Sequence, residues 1–299
     1  MRFFASHGGV RTPNIYTEES REIFFISDPP HLMKTVRNNL ASSGCGSNTR
    51  YLWNNGLNLL WTHIRDLFQL DSRRELRRTK LTSEHVYLNS HSVMRVPLAV
   101  QALSSSVANG LVTYGPPEAQ ETATFIRLMD RFFDCMNGRS KAQAIHKRKP
   151  DLLPYTSIDD PRFEFLEVEF LGYLAAWNRS VKEREGYTTS EKASMFLSPQ
   201  TYCGLETTVK STCGLIRYLL GEGVEEVYTS RLSQDPLEAH FGRHRGFARR
   251  ADNPTLLSFG YQENKLRAQR NLAIAVNKHS VSTSPLKKRK RQRKNNSDD

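Results

Sequence analysis

The chain has 299 residues, 38% hydrophobic and 10% aromatic, with 43 Lys plus Arg against 31 Asp plus Glu. That length and composition exclude a stapled miniature scaffold and a wholly disordered chain, and leave room for one large or two ordinary folded domains. The net charge of +12 suits a polyanionic partner, nucleic acid or nucleotide phosphate, and carries no information about fold.

In chain order, Ile23 to Ser27 (IFFIS) is a short apolar run that predicts a strand buried on both faces. Asp28-Pro29-Pro30 ends it and opens a helix over about Pro29 to Ala41, since Asp can cap the first free amides and Pro loses nothing at the first helical position. Ser42 to Asn48 reads as a loop. From Gly56, the spacing of Leu57, Leu60, Trp61, Ile64, Leu67 and Phe68 predicts an amphipathic helix, followed by a basic loop from Arg73 to Lys80. The same period recurs over Val96 to Val112, Thr122 to Met136, Phe163 to Val181 and Thr201 to Leu220, so the middle of the chain reads as a helical domain. Gly115-Pro116-Pro117 and Ala144 to Pro154 read as turn and linker. Glu225 to Ser230 can be a strand, Asp235-Pro236 opens another helix through Phe241, and Asn264 to Val276 reads as a terminal helix. The basic cluster Lys287 to Lys294 follows Ser-Thr-Pro-rich sequence and reads as a disordered tail, either a nuclear-import signal or a non-specific phosphate binder.

Cys45, Cys135, Cys203 and Cys213 form no CxxC pair, which points away from a zinc ribbon or a secreted disulfide framework and toward a reduced, intracellular chain. No run of 18 apolar residues occurs, so no membrane association is expected.

Two sites could carry chemistry. A carboxylate at the end of a buried strand, Asp28, and the pair Asp235 and Glu238 on one side of a helix start are oxygen donors of the kind Mg²⁺ takes. The structural alternative is equally simple: Asp before Pro is a common helix cap, and an acid in the first turn favours the helix dipole. His240 and His244 stand at i,i+4 spacing, which suits either a metal ligand pair or an exposed helix face; HExxH is not present. Arg231, Arg243, Arg245, Arg249 and Arg250 near Glu238, and Lys34 and Arg37 after Asp28, could neutralise DNA phosphates or be ordinary solvated cations.

The segments FFISDPPHLMKTVRNNL (Phe24 to Leu40), YLWNNGLNLLWTHI (Tyr51 to Ile64), LNSHSVMRVPLAVQALSSSV (Leu88 to Val107), FFDCMN (Phe132 to Asn137) and SQDPLEAHFGRHRG (Ser233 to Gly246) resemble, in the same order, P-element-type transposases, the group that includes the THAP-domain transposases. The resemblance spans roughly Ile23 to Arg270. It implies an α/β fold: a partial ribonuclease H-like core over residues 1–45 and 223–278, interrupted by a mostly α-helical GTP-binding insertion at 46–222, with a disordered basic tail at 279–299. It implies catalytic and metal-binding roles for Asp28 and Glu238, with Mg²⁺ or Mn²⁺ as cofactor, and guanine-nucleotide contacts from Asp134, Asn137 and Asp235. GTP, transposon-end DNA, assembly into an oligomer on DNA and a nuclear location follow as expectations.

Departures from the family pattern bear on activity. The first catalytic Asp of the family lies on an earlier strand, and none of the 27 residues before Asp28 is an Asp; the zinc-coordinating THAP domain and the coiled coil after it are not seen. Where a phosphate-contacting lysine is expected, the chain has His91, Ser92 and Val93, with Arg95 the nearest basic residue. With two of three acidic ligands, a two-metal centre loses affinity and geometry, so a truncated or domesticated transposase that binds without efficient strand transfer is expected. An incomplete gene model would give the same sequence. A non-catalytic guanine-nucleotide or DNA-binding module is the competing reading, and Asp134 and Asn137 can also be a polar edge on a packing helix.

Overall fold

The Asp28-Pro29-Pro30 signal does start a helix in the computed structural model, which describes residues 10–17, 21–44, 50–247 and 255–279. Strand β1 (Arg11–Pro13) pairs antiparallel with β2 (Glu22–Phe24), Arg11 opposite Phe24, and the chain then enters α1 (Pro29–Ala41). The Asp28 carboxylate accepts the His31 backbone N–H at 3.2 Å, and prolines fill the first two helical positions. The IFFIS strand was expected to be buried on both faces. Instead β2 is a ribbon strand with Ile23 41% exposed, and the chain beyond it is tied to a helix, Ser27 N–H donating to Thr208 Oγ1 at 3.0 Å.

A second correction falls at Gly56. Asn55 and Gly56 have φ of 45° and 90°, the left-handed pair that closes a two-residue hairpin between β3 (Trp53–Asn54) and β4 (Leu57–Asn58). Leu57 therefore lies in a strand, and the expected helix begins only at α2 (Trp61–Ser72). The basic stretch after it is a loop, leading to α3 (Ser83–Val86). The predicted helix over Val96 to Val112 is two, α4 (Val96–Ala102) and α5 (Ser105–Tyr114), broken at Ser104, whose backbone is extended and whose hydroxyl donates to the Gln101 carbonyl at 2.8 Å.

Next come α6 (Gln120–Met136), α7 (Lys141–Lys147) and α8 (Pro161–Glu164), the last running through a π-helical segment, Phe165–Phe170, into α9 (Leu171–Glu183). The wider winding inserts one residue and lets Phe165, Leu166 and Phe170 all face inward. Helices α10 (Thr189–Ser194) and α11 (Pro199–Gly221) follow. Glu225 to Ser230 is not a strand. Val227 makes one bridge with Tyr155, two backbone bonds of 2.9 and 3.0 Å, and Thr229 then turns to hold the end of α6, its hydroxyl donating to the Cys135 carbonyl.

Residues 1–233 form one compact unit. Its core is aromatic: Phe132 stacks on Phe170 with centroids 4.8 Å apart, Phe125 meets Trp177 edge-on at 5.5 Å, and the buried Trp177 indole donates to the Trp53 carbonyl at 2.7 Å. Helix α1 lays Leu32, Met33, Val36 and Leu40 into this core between α4 and α11. Residues 234–299 form the second unit, containing α12 (Asp235–Phe247) and α13 (Leu256–His279).

Among the described residues the strands make two antiparallel pairs and no wider sheet, so the architecture is mostly helical. Cys135, Cys203 and Cys213 are free thiols, and no described helix is long and apolar enough to cross a membrane. The Lys287–Lys294 cluster, Cys45, Arg249 and Arg250 lie outside the described residues.

Candidate functional site

Helix α6 buries Phe125, Met129, Phe132, Phe133 and Met136, which leaves Asp130 and Asp134, four residues apart, on one flank near its end. Asn137 stops the helix, its N–H reaching the Asp134 carbonyl at 3.3 Å. The chain then makes α7, closed by Arg148 in the left-handed conformation (φ 54°, ψ 41°). That turn brings Lys149 back onto α6. Its ammonium lies 2.6 Å from Asp134 Oδ2 and 2.9 Å from Asp130 Oδ2.

Asp134 is 13% exposed at its side chain, and burial pushes its carboxyl up to about 6, with the neighbouring Asp130 and Asp151 adding to the effect and the Lys149 hydrogen bond opposing it. For Lys149, burial alone would lower the ammonium, but its bonds to Asp134 and Asp130 prevail and hold it above the usual lysine range.

These groups line a cavity of about 370 Å³. Asp134, Asn137 and the cations Lys147 and Lys149 form one wall, and Lys80 and the serines 104–106 at the head of α5 form another. The cavity thus offers a carboxylate acceptor, an amide, three ammonium groups and the free N–H groups of a helix start, a donor set suited to a ligand with a hydrogen-bonding base and phosphates.

The expected site residues are placed unequally. Asp134 and Asn137 come together in this cavity. Asp28 lies in the same unit but does not line it; buried at the head of α1, its Oδ2 takes the His31 amide and lies 2.7 Å from His31 Nδ1, the capping role set out as the structural alternative. Asp235 and Glu238 stand in the exposed first turn of α12, in the second unit. The His91–Val93 block is structural: the Ser92 and Val93 carbonyls accept the buried Arg37 guanidinium at 3.2 and 2.9 Å, and Arg95 pairs with Glu84 at 2.6 Å.

Sequence reasoning missed Lys149 and Asp130. Lys149 falls inside the stretch read as a linker, whereas the i,i+4 spacing of Asp130 and Asp134 was available as a signal.

Gly138 follows Asn137 and packs against Leu152, two residues that line the cavity. A Cβ there would stand 2.7 Å from the Leu152 carbonyl oxygen, a backbone atom that cannot step aside cheaply. Gly138→Ala is therefore expected to cost about 1–3 kcal/mol in urea denaturation.

Comparison with known proteins finds similarity over this geometry. Residues 30–149, the stretch that begins in α1 and ends at Lys149, match the family model described as the TNP-like, GTP-binding insertion domain. Over 273 residues the chain is 29% identical to the Transposable element P transposase of Drosophila melanogaster, covering 88% of this chain and 33% of the relative. It also superposes on a solved chain of the Drosophila P element transposase strand transfer complex with a TM-score of 0.66 and 25% identity, over 87% of this chain and 56% of that one. The resemblance to P-element-type transposases read from the sequence is thereby shown, and the chain spans about a third of the length of the curated relative.

Proposed function

We propose that the α6–Lys149 cavity binds a guanine nucleotide and that the chain serves DNA transposition as a P-element-like protein. The observation that carries this reading is the partly buried Asp134–Lys149 pair inside the segment that matches a GTP-binding domain. Guanine offers its N1–H and exocyclic amino group to one acceptor, and an ionised Asp134 accepts both; adenine has an acceptor at N1 and is refused. Asn137 adds an amide, Lys80, Lys147 and Lys149 neutralise phosphates, and the start of α5 supplies backbone N–H groups to them. Asp235 joins this set by resemblance alone.

The pH dependence follows from Asp134. The carboxylate must be ionised to accept two N–H groups, so affinity is lost as pH falls through about 6. Calorimetric titration of the full chain is expected to show GTP binding in preference to ATP at pH 7.5 and roughly tenfold weaker GTP binding at pH 5. Asp130, Asp151, Lys149 and His146 face the same region, so Asp134→Asn serves as the control that removes the step. Absence of GTP binding at pH 7.5 would refute the reading.

For the DNA chemistry, Asp28 and Glu238 are the proposed metal-holding and catalytic carboxylates, oxygen donors of the class that Mg²⁺ or Mn²⁺ takes. When bound, the cation would activate water or a 3′ hydroxyl and stabilise the leaving oxygen of a phosphodiester. The ribonuclease H-like character of 1–45 and 223–278, the extent of the insertion over 46–222, assembly on DNA and a nuclear location driven by the 279–299 tail belong to the same proposal. Metal-dependent cleavage of a transposon-end oligonucleotide is expected to be weak in the unaltered chain, and robust turnover abolished in both Asp28→Ala and Glu238→Ala would overturn that expectation. The capping bonds of Asp28 favour a second reading, a nucleotide-responsive DNA-binding module without cleavage. It predicts GTP and DNA binding with no metal-dependent turnover in the unaltered chain.

A further inference from the structure

The second unit has an unusual centre. Among its described side chains the buried ones are His244, at 2% exposed, and Gln262, both polar, while Leu237, Phe241, Leu256, Leu257 and Tyr261 are exposed. A two-helix unit with so little apolar burial is the kind of small structure that usually needs a staple.

At that centre three ligand atoms converge from the two helices. His240 and His244, one turn apart on α12, bring their Nε2 atoms to 3.1 Å of each other. Glu263, on α13, places Oε2 at 2.9 Å from the His244 nitrogen and 3.4 Å from the His240 nitrogen. Four ligands around a tetrahedral Zn²⁺, at about 2.0–2.1 Å each, stand about 3.3 Å apart, so this triangle already has the edge lengths of one face of such a site. A cation at bonding distance from all three sits roughly 1 Å off their plane, with a fourth position left open.

The remaining contacts orient the ligands. His244 Nδ1 lies 3.3 Å from Gln262 Oε1, an acceptor, which places the proton on Nδ1 and leaves the Nε2 lone pair facing the other two ligand atoms. The His244 ring is stacked on Phe259 at 4.5 Å, nearly parallel, which holds its plane. Without a cation, two imidazole nitrogens and a carboxylate oxygen crowd one point and need a shared proton to be compatible. Imidazole donors select against Mg²⁺ and in favour of zinc and its first-row neighbours. Arg243, Arg267 and Arg270 line the small hollow beside His240 and Glu263, a setting that favours water or a small anion at the open position.

We propose that His240, His244 and Glu263 bind one Zn²⁺ ion that pins α12 to α13. The site is independent of the nucleotide cavity and of the Asp28 and Glu238 assignments. The full chain, stripped with a chelator and titrated with Zn²⁺, is expected to take up one equivalent with micromolar or tighter affinity and to melt at a higher temperature when loaded. Co²⁺ in its place is expected to give the visible absorption of a four-coordinate site. His240→Ala and Glu263→Gln, each at a partly exposed position, should weaken uptake at least 100-fold and abolish the thermal shift, with folding checked by circular dichroism. Cys203→Ser, which removes an exposed thiol able to bind zinc elsewhere, should change nothing. No stoichiometric uptake at 100 µM Zn²⁺ on the order of typical protein concentrations, or uptake undiminished in either variant, would overturn the site and leave a hydrogen-bonded cluster only.

Discussion

Asp134→Ala is expected to weaken guanine-nucleotide binding by about 100-fold or more at pH 7.5. Each hydrogen bond to an ionised group is worth about 1.5–3 kcal/mol, and the proposed contact makes two, so the loss is about 3 kcal/mol at least. The effect on stability runs the other way. A carboxyl held near 6 against an ordinary 3.8 contributes fully to stability below pH 3.8, and that contribution disappears as pH rises through about 6. Above that pH, holding the group ionised costs up to about 3 kcal/mol, a figure that already includes the opposing Lys149 bond. Asp134→Asn, which removes that ionisation cost, should therefore abolish GTP recognition without lowering stability at pH 8, where Lys149 keeps Asp130. Calorimetry paired with urea denaturation separates the two. A variant that binds GTP normally would remove Asp134 from the site.

Arg162→Met carries the largest expected loss of stability, about 3–5 kcal/mol in urea denaturation. The Arg162 side chain is buried, and its guanidinium donates to both Asp160 carboxylate oxygens at 2.8 and 2.6 Å and to the carbonyls of Asp151, Leu153 and Pro154. It also lies 3.6 Å over the Tyr155 ring. Methionine fills the space, leaves the Asp160 carboxylate its cap bond to the backbone N–H of residue 162 but no guanidinium, and leaves three carbonyls without their donor. The damage reaches the cavity, because those three carbonyls belong to the segment that follows Lys149 directly. Weaker GTP binding in the folded fraction is expected alongside the lower midpoint. Asp160→Asn, which keeps the carbonyl contacts, should cost clearly less.

The particular residues show what the sequence made legible. The limits of α1 were readable because capping is local: Asp28, Pro29 and Pro30 act on the turn they begin. The Asn55-Gly56 hairpin was equally local, but the apolar spacing from Leu57 onward mimics a helix period and the turn chemistry decides against it. The break at Ser104 and the failure of Glu225 to Ser230 to form a strand depend on tertiary partners, the Gln101 carbonyl in one case and the end of α6 in the other. At the nucleotide cavity, Asp134 and Asn137 were named through resemblance, whereas Lys149 becomes visible only when the left-handed turn at Arg148 folds it back. The meeting of His244 with Glu263, nineteen residues on, needs two helices to be laid side by side.

The π-helical stretch from Phe165 to Phe170 has an implication for chains that differ in length. One surplus residue is absorbed there as a wider loop of backbone, so removing a single residue from this stretch would return the rod to ordinary winding and leave the flanking turns in phase. Trp177 would still arrive beneath the Trp53 carbonyl, and Arg162 would still reach its own partners. Relatives shorter by one position at this point can therefore keep the same interior.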